Sequence, residues 1–253
     1  MESTEQREAA LRRLRDAAKK SKRTGHVPFP PGFVRVAADG HEATSPLARL
    51  IQGGRGGEVR LKLYLCITMM AAGHPFDLRK PPTPIVWART LGLADTTGPR
   101  RVSTALRWLE DSKFIAREKR LPGEPPKITL LDANGGGGKY VPPRSGGRYV
   151  GMPIELWTEG WLLDLSATGL ALLFVLRELL GGHTTSRYVT KSRRGSYGLS
   201  HDTWTKATKE LVGFGLLKVT RTPQGDDFTY QRMRNSYTLN LEHLKASRTQ
   251  ITA

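Results

Sequence analysis

The chain has 253 residues, with 40 Lys and Arg against 23 Asp and Glu, a net charge of +17. An excess of that size points to a polyanion, nucleic acid first and an anionic membrane surface second. One cysteine, Cys66 in the apolar run LKLYLCITMM, excludes a disulfide framework and a thiolate metal site within the chain, and reads as a reduced core thiol.

No run of about 18 apolar residues is present, so no membrane span is expected, and the basic N-terminus lacks the apolar core of a signal peptide. Residues 1–26 carry Arg7, Arg12, Arg13, Arg15, Lys19, Lys20, Lys22 and Arg23 around a thin stripe of Ala9, Leu11, Leu14 and Ala18. They read as a frayed helical arm that follows a DNA backbone or minor groove, or as a solvated tail. VPFPPG breaks the chain, and Phe33 to Val36 starts an extended segment. Ser45 caps a short helix with Pro46 in its first position. GGRGG at 53–57 is a loop, Glu58 to Ala72 an apolar helix, HPFDLRKPPTP a loop, and Thr83 to Thr90 a short helix with Trp87 facing inward.

The chain is organised around the stretch Gly98 to Arg120. Val102, Ala105, Leu106 and Leu109 recur at helical spacing, with Arg100, Thr104 and Arg107 on the opposite face. Strands are expected at Ala116–Leu121 and Lys127–Leu131, joined by a Pro/Gly tip. ANGGGGKYVPPRSGGR at 133–148 has the composition of a linker. Trp157, Trp161 and Leu162 then read as packing residues, and Ser166 caps the helix Ala167 to Leu180. A short or irregular second helix carries Lys191, Arg193 and Arg194, and Ser200 caps a third. Leu216–Arg221 and Tyr230–Leu241 read as a hairpin with TPQGDD at its tip, and the last dozen residues as a short helix and a tail.

The organising stretch recurs as TWTKATKELVGFGLLKVTR, Thr203 to Arg221, and a matching tripeptide precedes each copy: Leu91-Gly92-Leu93 and Tyr197-Gly198-Leu199. A whole unit of about 100 residues is repeated. Three helices and a hairpin, with a basic amphipathic third helix, resemble the winged helix-turn-helix. The second copy carries the signature at Gly198-Leu199-Ser200, Thr203, Ala207, Leu211, Gly215-Leu216-Leu217, Val219 and Arg221. The first has a longer spacing, ADTTGP, before its third helix. Two such modules in tandem are similar in layout to plasmid replication initiators and to some bacterial transcriptional regulators.

The resemblance implies an α+β, mainly helical fold. Its parts are a basic arm (1–27), a winged-helix domain (28–132), a linker (133–148), a second winged-helix domain (149–245) and a tail (246–253). It also implies sequence-specific binding of double-stranded DNA through the third helices. The base-reading candidates are Arg100, Arg101, Ser103, Thr104 and Arg107 in the first copy, and His201, Asp202, Thr205, Lys206 and Lys209 in the second. The phosphate candidates are Arg117, Lys119, Arg120, Lys127, Lys191, Arg193, Arg194, Lys218, Arg221, Arg232 and Arg234. The alternative for any of these is a solvated polar surface. A homodimer and the replication or transcription machinery are further expected partners, in a cytoplasmic protein on nucleoid or plasmid.

Enzymatic motifs are lacking. GGGGKY is not a phosphate-binding loop, since Ala133 and Tyr140 stand where Gly and Ser or Thr are needed. His26, His41, His74, His183, His201 and His243 show no ligand spacing, so no metal or other cofactor is expected. Two rival functions remain: a non-specific architectural DNA binder, and a protein-docking adaptor using Trp157, Trp161 and the GGRGG loop.

Overall fold

The computed structural model describes residues 2–36, 44–53, 55–121, 123–143, 147–181, 185–224 and 232–246. The chain is α+β and mainly helical. It opens with helix α1 (Glu2–Ser21), strand β1 (His26–Phe29), the single turn α2 (Pro31–Val34) and helix α3 (Pro46–Ile51). A first unit comes next: α4 (Arg55–Met70), β2 (Asp77–Leu78), α5 (Pro84–Thr90), α6 (Gly98–Asp111), β3 (Ile115–Glu118) and β4 (Lys127–Leu130). Strand β5 (Val150–Pro153) and the short helices α7 (Glu155–Thr158) and α8 (Trp161–Asp164) lead into a second. That unit is α9 (Ala167–Leu180), β6 (Arg187–Tyr188), α10 (Lys191–Gly195), α11 (His201–Gly213), β7 (Leu217–Gln224) and β8 (Arg232–Leu239), with a 3-10 turn after it at Leu241–Lys245.

The two units share one order, α–β–α–α–β–β. Their antiparallel sheets also match, β2-β4-β3 and β6-β8-β7, so the strand between the first two helices pairs with the last strand. Gly92 and Gly198, from the matched tripeptides, both have positive φ, +65° and +68°, where the chain turns toward the third helix. Ser45, Ser166 and Ser200 cap their helices as expected, each hydroxyl accepting from the N–H three residues on.

Several parts differ from the sequence reading. Helix α1 is neither frayed nor solvated: Ala10, Leu11, Leu14 and Ala18 are buried against α4, α5 and α7. Arg7 grips Asp164 through two hydrogen bonds of 2.9 and 2.6 Å, and Arg15 Nε donates to the Thr158 carbonyl at 2.6 Å. Small alanines make the apolar stripe look thin, yet they let the helix approach closely. Phe33 lies in the turn α2 instead of an extended segment, and the loop HPFDLRKPPTP contains β2. Residues 133–140 fold back on the first unit: Leu131 bridges Lys139, and Tyr140 is buried edge-on to Phe76 at 5.1 Å. Trp157 and Trp161 are at most 1% exposed, which removes them from any docking surface. Residues 144–146 of the linker, 225–231 at the second hairpin tip and 247–253 of the tail lie outside the described residues.

One apolar core runs through both units. Phe174 of α9 stands 5.0 Å from Phe29 and 5.9 Å from Phe33, and Phe33 lies 5.6 Å from Tyr64 of α4. Strand β1 pairs with β5, Val27 opposite Met152, and closes the same layer.

Candidate nucleic-acid interface

Helix α6 turns Val102, Ala105, Leu106 and Leu109 inward. The same 3.6-residue period leaves Arg100, Arg101, Ser103, Thr104 and Arg107 exposed. Among the described residues, none of these three arginines has a carboxylate partner. They form a cationic face whose donors are free for guanine edges or phosphates.

Helix α11 buries Trp204, Ala207 and Leu211 and exposes His201, Asp202, Thr205, Lys206 and Lys209. This face is largely satisfied within itself. Asp202 pairs with Lys206 at 2.8 Å, and that hydrogen bond holds the ammonium above its ordinary range. His201 Nδ1 lies 3.2 Å from Arg194, and the Thr205 hydroxyl donates to the His201 carbonyl at 2.9 Å. Only Lys209 among its cations lacks a carboxylate among the described residues.

The hairpins divide in the opposite sense. In the first, Arg117 Nε donates to Glu110 at 2.8 Å, and its backbone N–H donates to the same carboxylate at 3.2 Å. Arg120 pairs with Glu124 at 3.3 Å and donates to the Arg79 carbonyl at 2.7 Å. Lys127 sits between Asp77 and Glu118 at 3.4 and 3.5 Å. Of the cations expected on this hairpin, Lys119 alone is exposed without a carboxylate among the described residues. In the second hairpin, Lys218 and Arg221 are exposed with no acid beside them among the described residues, and Arg234 lies over the Tyr188 ring at 5.2 Å. Arg232 stands opposite Gln224, and its side chain lies outside the described residues.

Helix α10 splits its three cations. Lys191 is exposed, while Arg194 is laid over Trp204 at 4.9 Å. Arg193 is committed inward. Its Nη2 reaches the buried Glu178 at 3.0 Å, its Nε donates to the Tyr197 hydroxyl at 3.0 Å, and Arg35 meets the same carboxylate at 2.8 Å. Burial, the loss of water around the ring, pushes the Tyr197 hydroxyl well above its ordinary range, so it stays protonated and donates to Glu178 at 2.7 Å.

Arg60 was not among the expected residues. Its guanidinium stacks on Trp108 at 4.3 Å, beside Arg100 and Arg101, and nothing in its sequence neighbourhood announces that meeting. No cluster of His, Cys, Asp or Glu fit for a metal occurs among the described residues, and no helix there is long and apolar enough to cross a membrane. No protein-family model matches the chain, and neither a curated protein nor a solved structure matches it.

Proposed function

We propose that the chain is a sequence-specific binder of double-stranded DNA with two winged helix-turn-helix units in tandem, acting in transcriptional control or in initiation of replication. The observation that carries this reading is the repeated α–β–α–α–β–β order with matching sheets, joined to an outward cationic face on α6. The net charge of +17 supports the same class of partner.

The labour is divided between the units. Helix α6 enters a major groove, where Arg100, Arg101 and Arg107 fork onto guanine O6 and N7, each good pair giving about 1–3 kcal/mol of discrimination. Ser103 and Thr104 lie beside them for shorter contacts. The second hairpin holds phosphates through Lys218, Arg221 and Arg234, which supply affinity and salt dependence. Helix α11, with its internal pairs, is the weaker reader. The first hairpin, neutralised by Glu110, Glu118, Glu124 and Asp77, is the weaker clamp.

Selection of bound duplexes from a random pool at about 150 mM salt, where the Debye length is about 8 Å, tests the proposal. An enriched motif spanning about two helical turns is expected, and its position in promoters or in origin repeats assigns the process. Binding without enrichment refutes sequence specificity and leaves an architectural binder. No binding at this salt leaves a protein-docking role.

A further inference from the structure

Between the start of α4 and the outer side of α6 lies a groove of about 340 Å³, inside the range of small-ligand pockets, roughly 300–1,000 Å³. Arg60, Arg100 and Arg101 line it, with Thr104 among them. Val59, Ala105 and Trp108 form its apolar side, and among the described residues no Asp or Glu lines it. Among the described residues, three guanidiniums line one groove without a carboxylate, and their charge is unanswered there. Arg60 is the sharpest case: its Nε is shut off from solvent and has no hydrogen-bond partner, while Nη2 is turned to the Gln52 carbonyl. Burial lowers the Arg60 guanidinium from its ordinary range with no acid to offset it. A buried donor left unmatched beside two free arginines marks a place for an anion.

We infer that this groove binds a nucleotide, its phosphate held by Arg100 and Arg101 and its flat base laid over the Arg60 guanidinium, which Trp108 backs. The phosphate answers the charge, and the base covers the flat guanidinium of Arg60, which a bare inorganic ion leaves uncovered. A free nucleotide and a nucleotide within a strand offer the same chemistry. The inference shares Arg100 and Arg101 with the proposed reading of α6, and Arg60, which that reading does not use, separates the two.

The test uses calorimetric titration of the full chain at about 150 mM salt. The probes are guanosine 5′-monophosphate, adenosine 5′-monophosphate, the two nucleosides, inorganic phosphate and a labelled duplex. A monophosphate is expected to bind at least ~10-fold more tightly than its nucleoside and than inorganic phosphate. Arg60→Gln and Arg101→Gln should each weaken it by a further ~10-fold, and Lys245→Ala, an exposed cation paired with Glu242 in the turn after β8, should leave it unchanged. Melting curves confirm that the variants fold, and Arg101, being exposed, serves if Arg60→Gln does not. Free nucleotide binding that responds to these variants identifies a free ligand. Duplex binding alone responding to Arg60→Gln identifies a nucleotide of the strand. Equal binding of nucleotide and nucleoside, or no probe responding to either variant, overturns the inference. Failed sequence selection with intact nucleotide binding would instead sink the DNA-reading proposal alone.

Discussion

Arg221→Gln and Arg117→Gln place the same chemical change on two hairpins that the sequence makes look alike. Arg221 is exposed on β7 opposite Asn235, with no acid beside it among the described residues. Arg117 is clamped by Glu110, its side chain only 25% exposed. A cation that meets a DNA phosphate releases a counterion and contributes about 0.9 to the slope of log affinity against log salt. Between 50 and 200 mM salt that is a ~3–4-fold difference in affinity for each contact. Arg221→Gln should therefore flatten the slope by about 0.9 and leave the melting temperature unchanged. For Arg117 to reach a phosphate it must first leave Glu110, and after solvent screening that pair is worth on the order of 1 kcal/mol. Moving from one anion to the other gains nothing, so Arg117→Gln should leave the slope alone. It should instead lower the melting temperature by about 2–4 °C, the shift expected of ~1 kcal/mol in a chain of this size. Fluorescence anisotropy of a labelled duplex across a salt series, with melting curves on the same samples, reads both quantities. An equal loss of slope in the two variants refutes the argument that acid-paired cations are withdrawn from the interface.

Three further outcomes are expected from the packing. Glu178→Ala leaves Arg35, Arg193 and the Tyr197 hydroxyl without their shared acceptor. Because both arginines keep some contact with water, the cost should be about 2–3 kcal/mol, or roughly 4–12 °C in thermal melting. A change inside ~0.5 kcal/mol would show that the cluster adds nothing to stability. Leu14→Ala, at a position with no exposure, should cost about 2–5 kcal/mol in urea unfolding; a neutral result would mean that α1 is not docked in solution. Cys66 is buried, and its surroundings push the thiol well above its ordinary range, so the reactive thiolate is suppressed at neutral pH. Iodoacetamide should label it only as urea unfolds the chain, and rapid labelling of the native protein would contradict its placement.

The third helices were legible because their apolar positions repeat every three or four residues over three turns or more, and the serine caps because their signal is local. Strands β2 and β6 were not: two residues each carry no periodicity, and both form by pairing with a strand far along the chain. Helix α1 was misread because its docking depends on a partner, Asp164, that only folding brings near. The candidate interface was legible only in part, for a related reason. Residue type and face marked Arg117 and Arg193 as cations for the expected surface. Their pairing with Glu110 across a helix–strand junction, and with Glu178 on another helix, is a property of the packed chain. The meeting of Arg60 with Trp108 is of the same kind.

That packing also changes what two units in one chain can do. A tether between domains would let each reading helix find its own segment of duplex. Here Phe174 of α9 meets Phe29 and Phe33, Arg35 crosses to Glu178, Ser45 donates to the Tyr197 carbonyl at 2.9 Å, and Lys62 Nζ donates to the Leu163 carbonyl at 3.1 Å. On the proposed reading, α6 and α11 then meet DNA in one fixed relation, and selected sites should share a single spacer length. Inserting about five base pairs, half a helical turn, would carry one segment to the opposite side of the duplex and leave the affinity of one unit alone. Sites tolerant of any spacer would mean that the shared core opens on binding. On that reading Arg35 and Arg193, the arginines of this junction, would serve the proposed interface without touching it, by holding the two third helices at one spacing.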